Sequence, residues 1–99
     1  MASAYDYEAI AVADTAIGFT AAKIAADIST WTRPPEKASV SVETAQIRYR
    51  VDGSDPSATV GHILNSGDRV DIEGADDIRR FKAIRTGSSS ASIKVTYFR

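Results

Sequence analysis

A general base working near neutral pH is most often a histidine, and this chain has one. His62 sits in the run Val60-Gly61-His62-Ile63-Leu64. To catalyse anything it needs a nucleophile and an orienting group beside it, and no Gly-x-Ser-x-Gly elbow marks any of the serines. The residues around it suit a histidine on the edge of a strand, bonded to backbone. Asp52, Ser54 and Asp55 surround Gly53, an oxygen-rich cluster of the kind that can approach calcium. An EF-type loop requires acids at alternating positions and a closing Glu. This one has neither a third acid in register nor the Glu, so an Asx turn is the expectation and a weak surface calcium site is left open. Gly53, Gly61, Gly67, Gly74 and Gly87 form no Gly-x-Gly-x-x-Gly and precede no Gly-Lys-Ser/Thr, and read as turn glycines. No catalytic, cofactor-binding or metal-ligating residue is expected, and no enzyme.

Basic side chains interleave with Phe81, Tyr97 and Phe98, a mixture that single-stranded nucleic acid can exploit by stacking. Most of these aromatic rings fall at core-facing parity, and a net charge of −1 supplies no global basic field. Nucleic acid is therefore not an expected partner. Trp31 lies beside Pro34 and Pro35, where it suits either a glycan platform or a seal on one end of a small core. Charge is unevenly placed. From Ile78 onward every charged side chain is basic (Arg79, Arg80, Lys82, Arg85, Lys94, Arg99), and the preceding stretch is mostly acidic (Asp68, Asp71, Glu73, Asp76, Asp77). Neighbouring strands are expected to pair these charges across a sheet. The competing reading is a polar interface with a partner of complementary charge.

The elements that must position these residues have to fit one domain. A chain of 99 residues, 43% hydrophobic and 25% charged, has room for one thin core. It buries roughly 60–70% of its unfolded surface. With no cysteine, a disulfide framework, thiolate zinc and thiol catalysis are excluded, which favours folding in a cytosol. The first ten residues carry Asp6 and Glu8 and no basic cluster, so no signal peptide is expected. No apolar run reaches membrane-spanning length, and no membrane partner is expected.

Period-two alternation dominates residues 39–99. Val40, Val42 and Thr44 alternate with Ser39, Ser41 and Glu43; Ile47, Tyr49 and Val51 with Arg48 and Arg50; Val70 and Ile72 with Arg69, Asp71 and Glu73; Ile93, Val95 and Tyr97 with Lys94, Thr96 and Phe98. Each pattern describes a half-buried antiparallel strand. Residues 78–85 are strand-like but break the alternation, as a bulge or a doubly buried strand would. The separators 52–56, 65–68, 74–77 and 87–90 are rich in Gly, Asx and Ser, as turns require. Short strands spaced this way predict an all-β antiparallel sandwich or jelly-roll-like domain with a less regular N-terminal segment. In that segment, residues 7–12 suit a strand and Ile17 and Phe19 another. Ile17, Ala21, Ile24 and Ile28 fit a helical stripe with Thr20 as cap, and strand and helix remain balanced there. Residues 31–37 form a loop, since Pro34 and Pro35 remove two amide donors. The chain divides into a segment 1–38, packed on the sandwich or leaving it as an arm, and a sandwich core 39–99.

The stretch 43–56, Glu-Thr-Ala-Gln-Ile-Arg-Tyr-Arg-Val-Asp-Gly-Ser-Asp-Pro, together with Gly61-His62-Ile63-Leu64, Gly67-Asp68 and Phe81-Lys82-Ala83-Ile84-Arg85, resembles small β-sandwich structural proteins of tailed bacteriophages. The resemblance covers residues 40–99. It implies a virion protein made in the host bacterial cytoplasm, in particular a capsid decoration or cement protein binding the major capsid protein or other virion proteins, with self-association open. Segment 47–56 also resembles a β-sandwich module appended to carbohydrate-active enzymes. That keeps a carbohydrate- or host-binding accessory module, on a phage tail or fibre or a secreted enzyme, as the second reading. The expected partner contacts lie where closing a sheet needs them least: Tyr5, Tyr7, Trp31, Arg33, Asp52 and Asp55.

Overall fold

The computed structural model describes residues 3–25 and 33–99. Seven strands and two short helices follow one another as β1 (Ala4–Val12), α1 (Ala21–Ile24), β2 (Lys37–Glu43), β3 (Ile47–Arg50), β4 (His62–Leu64), β5 (Arg69–Glu73), α2 (Ala75–Arg80), β6 (Lys82–Arg85) and β7 (Ala91–Phe98). They form a four-stranded sheet in the order β1-β7-β2-β5 and a three-stranded sheet in the order β4-β3-β6. Every pairing is antiparallel. The fold is an all-β, sandwich-like one, as the alternation predicts.

Register shows how the alternation is used. On β2, Ala38, Val40 and Val42 sit opposite Tyr97, Val95 and Ile93 of β7. Ile93 in turn faces Ile10 of β1, and Val40 faces Val70 of β5. All the members of this row except Val70 are buried, and Val70 is half-buried against them. From the other sheet Ile47, Leu64 and Ala83 enter the core, joined by Phe81 at the junction before β6 and by Phe19 and Ile78. Each full burial of a side chain the size of Val, Ile or Phe stabilises by about 1.5–3 kcal/mol. A one-residue slip in any of these strands turns its apolar set to water, which fixes the register. Ala4–Val12 is a strand of the larger sheet, not an arm leaving it, because Ile10 and Val12 belong to that core. Reciprocal backbone bonds, Ser3 N to Arg99 O at 2.9 Å and Arg99 N to Ser3 O at 3.1 Å, carry the β1–β7 pairing to its end.

Several expectations are corrected. Residues 74–80 are neither a plain turn nor the start of a strand. Gly74, at φ 96°, bends the chain out of β5 and α2 begins. Asp76 and Asp77 occupy its first turn and Arg79 and Arg80 its last, the arrangement that suits the helix dipole. A helix of six residues does not stand alone in water, and Ile78, 1% exposed, anchors it to the core. The strand proper is β6. Thr44 leaves the alternation at φ 81° and ends β2. Ile17 makes a single antiparallel bridge to Ala83, while Phe19 turns into the core. Within the ambiguous stretch from Thr20, Ala21–Ile24 form a helical turn, and Ile28, the last of the predicted stripe, lies outside the described residues. Thr20 stands at the N-cap of that turn without a capping bond, because its hydroxyl donates to Glu8.

The charge blocks do not pair mainly with each other across a sheet. Lys37–Asp71 at 3.5 Å and Lys94–Glu43 at 3.8 Å are cross-strand pairs, but each joins one block to β2. Lys82 reaches Asp55 in a loop, and Arg79–Asp76, the one ion pair between the blocks among the described residues, lies within α2. The helix breaks the hairpin that the expectation required.

Candidate binding surfaces

Two surface regions, and one row of largely buried rings that supports them, are the candidates among the described residues. The first is the loop after β3. Strand alternation puts Arg48 and Arg50 on the outer face of the smaller sheet, opposite the side occupied by Ile47. Arg48 spends its guanidinium on the loop itself, donating to Ala58 O at 3.1 Å and Gly61 O at 2.8 Å. Arg50 pairs with Asp52, whose Oδ1 also accepts the Ser54 amide. That last bond closes the expected Asx turn. Lys82 of β6 holds Asp55 at 2.9 Å, and Pro56 is buried. The loop is thus pinned to the outer face of the sheet at both ends and in the middle. The Arg50 guanidinium holds the Asp52 carboxyl below the usual carboxylate range, and Asp52 in turn raises Arg50. Both carboxylates have basic partners, and among the described residues no three His, Asp or Glu side chains converge as a metal site.

Gly61 makes this packing close. Its φ of +128° is one that L side chains rarely adopt, and a Cβ there would lie 3.0 Å from Tyr49 O and 3.3 Å from Pro56 Cβ. Gly61→Ala is expected to lower stability by about 1–3 kcal/mol and to loosen the 52–61 loop, measured by thermal melting and by faster amide exchange confined to that loop.

The second region is a row of aromatic rings crossing the sandwich. Tyr5 lies 6.4 Å from Tyr97, Tyr97 meets Phe19 edge-on at 5.5 Å, and Phe19 stacks on Phe81 at 4.3 Å. Phe81 reaches Tyr49 at 5.7 Å, and Tyr49 reaches His62 at 5.3 Å. At the Tyr5 end of the row the polar groups are satisfied. Tyr97 is wholly buried, and its hydroxyl donates to Glu8, which also accepts from Thr20. Burial, and then the Glu8 carboxylate, push the Tyr97 phenol far above its ordinary value. Tyr5 is half-buried, bonds Lys23 O at 3.0 Å and carries the Arg99 guanidinium 4.0 Å over its ring. Burial raises its pKa too, and Arg99 opposes that shift. Lys23 closes the end of the row through Asp6 at 2.9 Å, which holds the Asp6 carboxyl low and raises Lys23.

Beside this row lies the third region, a cleft of about 440 Å³ floored by Phe19 and Phe81 and walled by Gly18, Ala21, Ile24 and Arg79. Gly18 lets the chain pass here, since a Cβ would sit 2.7 Å from Phe81 O.

The predicted contact residues do not gather into one site. Tyr5 packs into the aromatic row, while Tyr7, 54% exposed, stands on the outer face of the larger sheet. Arg33 is exposed, with Glu36 3.8 Å away. Asp52 and Asp55 belong to the pinned loop. Trp31 lies outside the described residues. Among those described, no hydrogen bond or ion pair links one of these places to another. Two exposed apolar residues escaped the sequence reading: Val60, 48% exposed, and Ile63, 45% exposed. The signal was available in the uncharged run containing them. His62 does occupy an edge strand, its ring against Tyr49. Comparison with known proteins returns no match: no family model, no curated protein and no solved structure matches this chain.

Proposed function

We propose that this chain is a non-enzymatic virion structural protein, a decoration or cement domain that binds the outer shell of a tailed phage. The observation that carries the reading is the pinned 52–61 loop. It takes in the end of the stretch 43–56, which resembles phage structural proteins, and it is built to be rigid. Arg48, Pro56 and Lys82 fix it before any partner arrives, so little conformational entropy is lost on docking. A small stiff domain with a polar preformed surface suits a task repeated many times over a shell, where modest contacts multiply.

The test is quantitative mass spectrometry of purified particles, counting this chain against the major capsid protein, followed by melting of shells with and without it. The expected result is a copy number within a few-fold of the capsid protein and a raised shell melting temperature. A handful of copies per particle moves the chain to neck, tail or fibre. Absence from particles overturns the virion reading.

A further inference from the structure

Sheet edges offer unpaired backbone groups to any passing strand, and stable proteins block them with charge, brevity or cover. Three of the four edges here are blocked. β1 carries Asp6 and Glu8, and the chain from 13 to 24 folds along its side, where Thr20 and Lys23 bond those two carboxylates. The outer edge of β6 is occupied by the same segment, through Ile17 N to Ala83 O, Ala83 N to Ile17 O and Arg85 N to Ala13 O. β5 alternates Arg69, Asp71 and Glu73 with its apolar residues. The fourth edge, β4, is short, but among the described residues it has neither charge nor cover. No Asp, Glu, Lys or Arg occurs anywhere from 56 to 67, in a chain where 25% of residues are charged. His62 and Ile63 on the strand and Val60 before it are all exposed.

We propose that β4 is a self-association edge, through which two copies of this chain join antiparallel and turn two three-stranded sheets into one of six strands. The occupant follows from charge. A strongly acidic or basic partner finds no counter-charge on this edge, whereas a second copy meets neutral side chains with neutral ones. A two-fold axis at Ile63 sets Ile63 opposite Ile63, on the outer face that Ile63 shares with Arg48, and His62 opposite Leu64. The same operation on β5 centres on Asp71 and opposes two carboxylates, so homotypic pairing is directed to β4. Three residues per strand give a small contact and hence a modest affinity, reinforced where copies are held close together. This edge adjoins the 52–61 loop and shares Val60 with it, but self-association is read on the isolated protein and shell binding on particles, so either can fail without the other.

The test is sedimentation equilibrium of the isolated protein from about 20 µM to about 0.5 mM, a range that brackets a dissociation constant of roughly 100 µM. The expected result is a mass that rises from monomer towards dimer. Ile63→Lys sets two ammonium groups opposite each other and is expected to weaken dimerisation at least about tenfold, since a tenfold change needs only about 1.4 kcal/mol. Its melting temperature should hold, because the side chain is half exposed. Val60→Glu, outside the strand, is expected to weaken the dimer less, and serves should Ile63→Lys fail to fold. A monomer across the whole range, or a dimer unchanged in both variants, overturns the proposal.

Discussion

Phe81→Ala is expected to destabilise the domain by about 3–5 kcal/mol. The ring is 1% exposed, at the point where α2 hands the chain to β6, and it touches both Phe19 and Tyr49. Its removal deletes the stacked pair that floors the cleft and leaves a void that the sheets on either side are too rigid to fill. For a domain of this size each kcal/mol moves Tm by about 4–8 °C, so a fall of roughly 15–30 °C is expected in a thermal melt. Phe81→Leu keeps most of the volume and should lose much less. Equal losses in the two variants would mean that stacking, not space-filling, is what the position requires.

Tyr97→Ala should be as severe, about 3–5 kcal/mol, and Tyr97→Phe should cost only about 1 kcal/mol. The comparison separates the ring from its hydroxyl. The ring is fully buried against Phe19 and Tyr5. The hydroxyl gives Glu8 one of its donors, but Thr20 supplies others, so the carboxylate is not orphaned by the Phe variant. Denaturant unfolding of both variants measures the split. A Tyr97→Phe loss near that of Tyr97→Ala would show that the Glu8 link holds the 18–24 segment in place.

The strands were legible where one face is buried and the other wet. β2, β5 and β7 present mostly Val or Ile against mostly Ser, Thr or charged residues at period two, and the pattern needs no knowledge of the rest of the chain. α2 was not legible, because six residues with one apolar anchor carry no helical period, and Gly74-Ala75-Asp76-Asp77 has the composition of a turn. The ordered charges Asp76, Asp77, Arg79 and Arg80 were its one local sign. The positions of Phe19 and Phe81 were hidden for another reason. Each sits in irregular or junction backbone, and what buries them is the other's ring, 62 residues along the chain. Of the candidate surfaces, the 52–56 turn could be read from its Asx and Gly residues. Its attachment to the sheet could not, since that depends on Arg48 and Lys82 reaching it from two different strands.

The pairing of β1 with β7 has a consequence for how the protein comes into being. Residues 4–12 bond to residues 91–98, so the larger sheet lacks its β1–β7–β2 centre until nearly the whole described chain has left the ribosome. Until then β1 and β2 have emerged, but the strand that lies between them has not. Folding therefore waits for synthesis, and the slow step is the closure of a long loop, which places such a domain among those that fold in about milliseconds to seconds. Over that interval the nascent chain exposes the apolar rows of β1 and β2 together, and it is then, more than in the finished fold, that chaperones or aggregation compete for it.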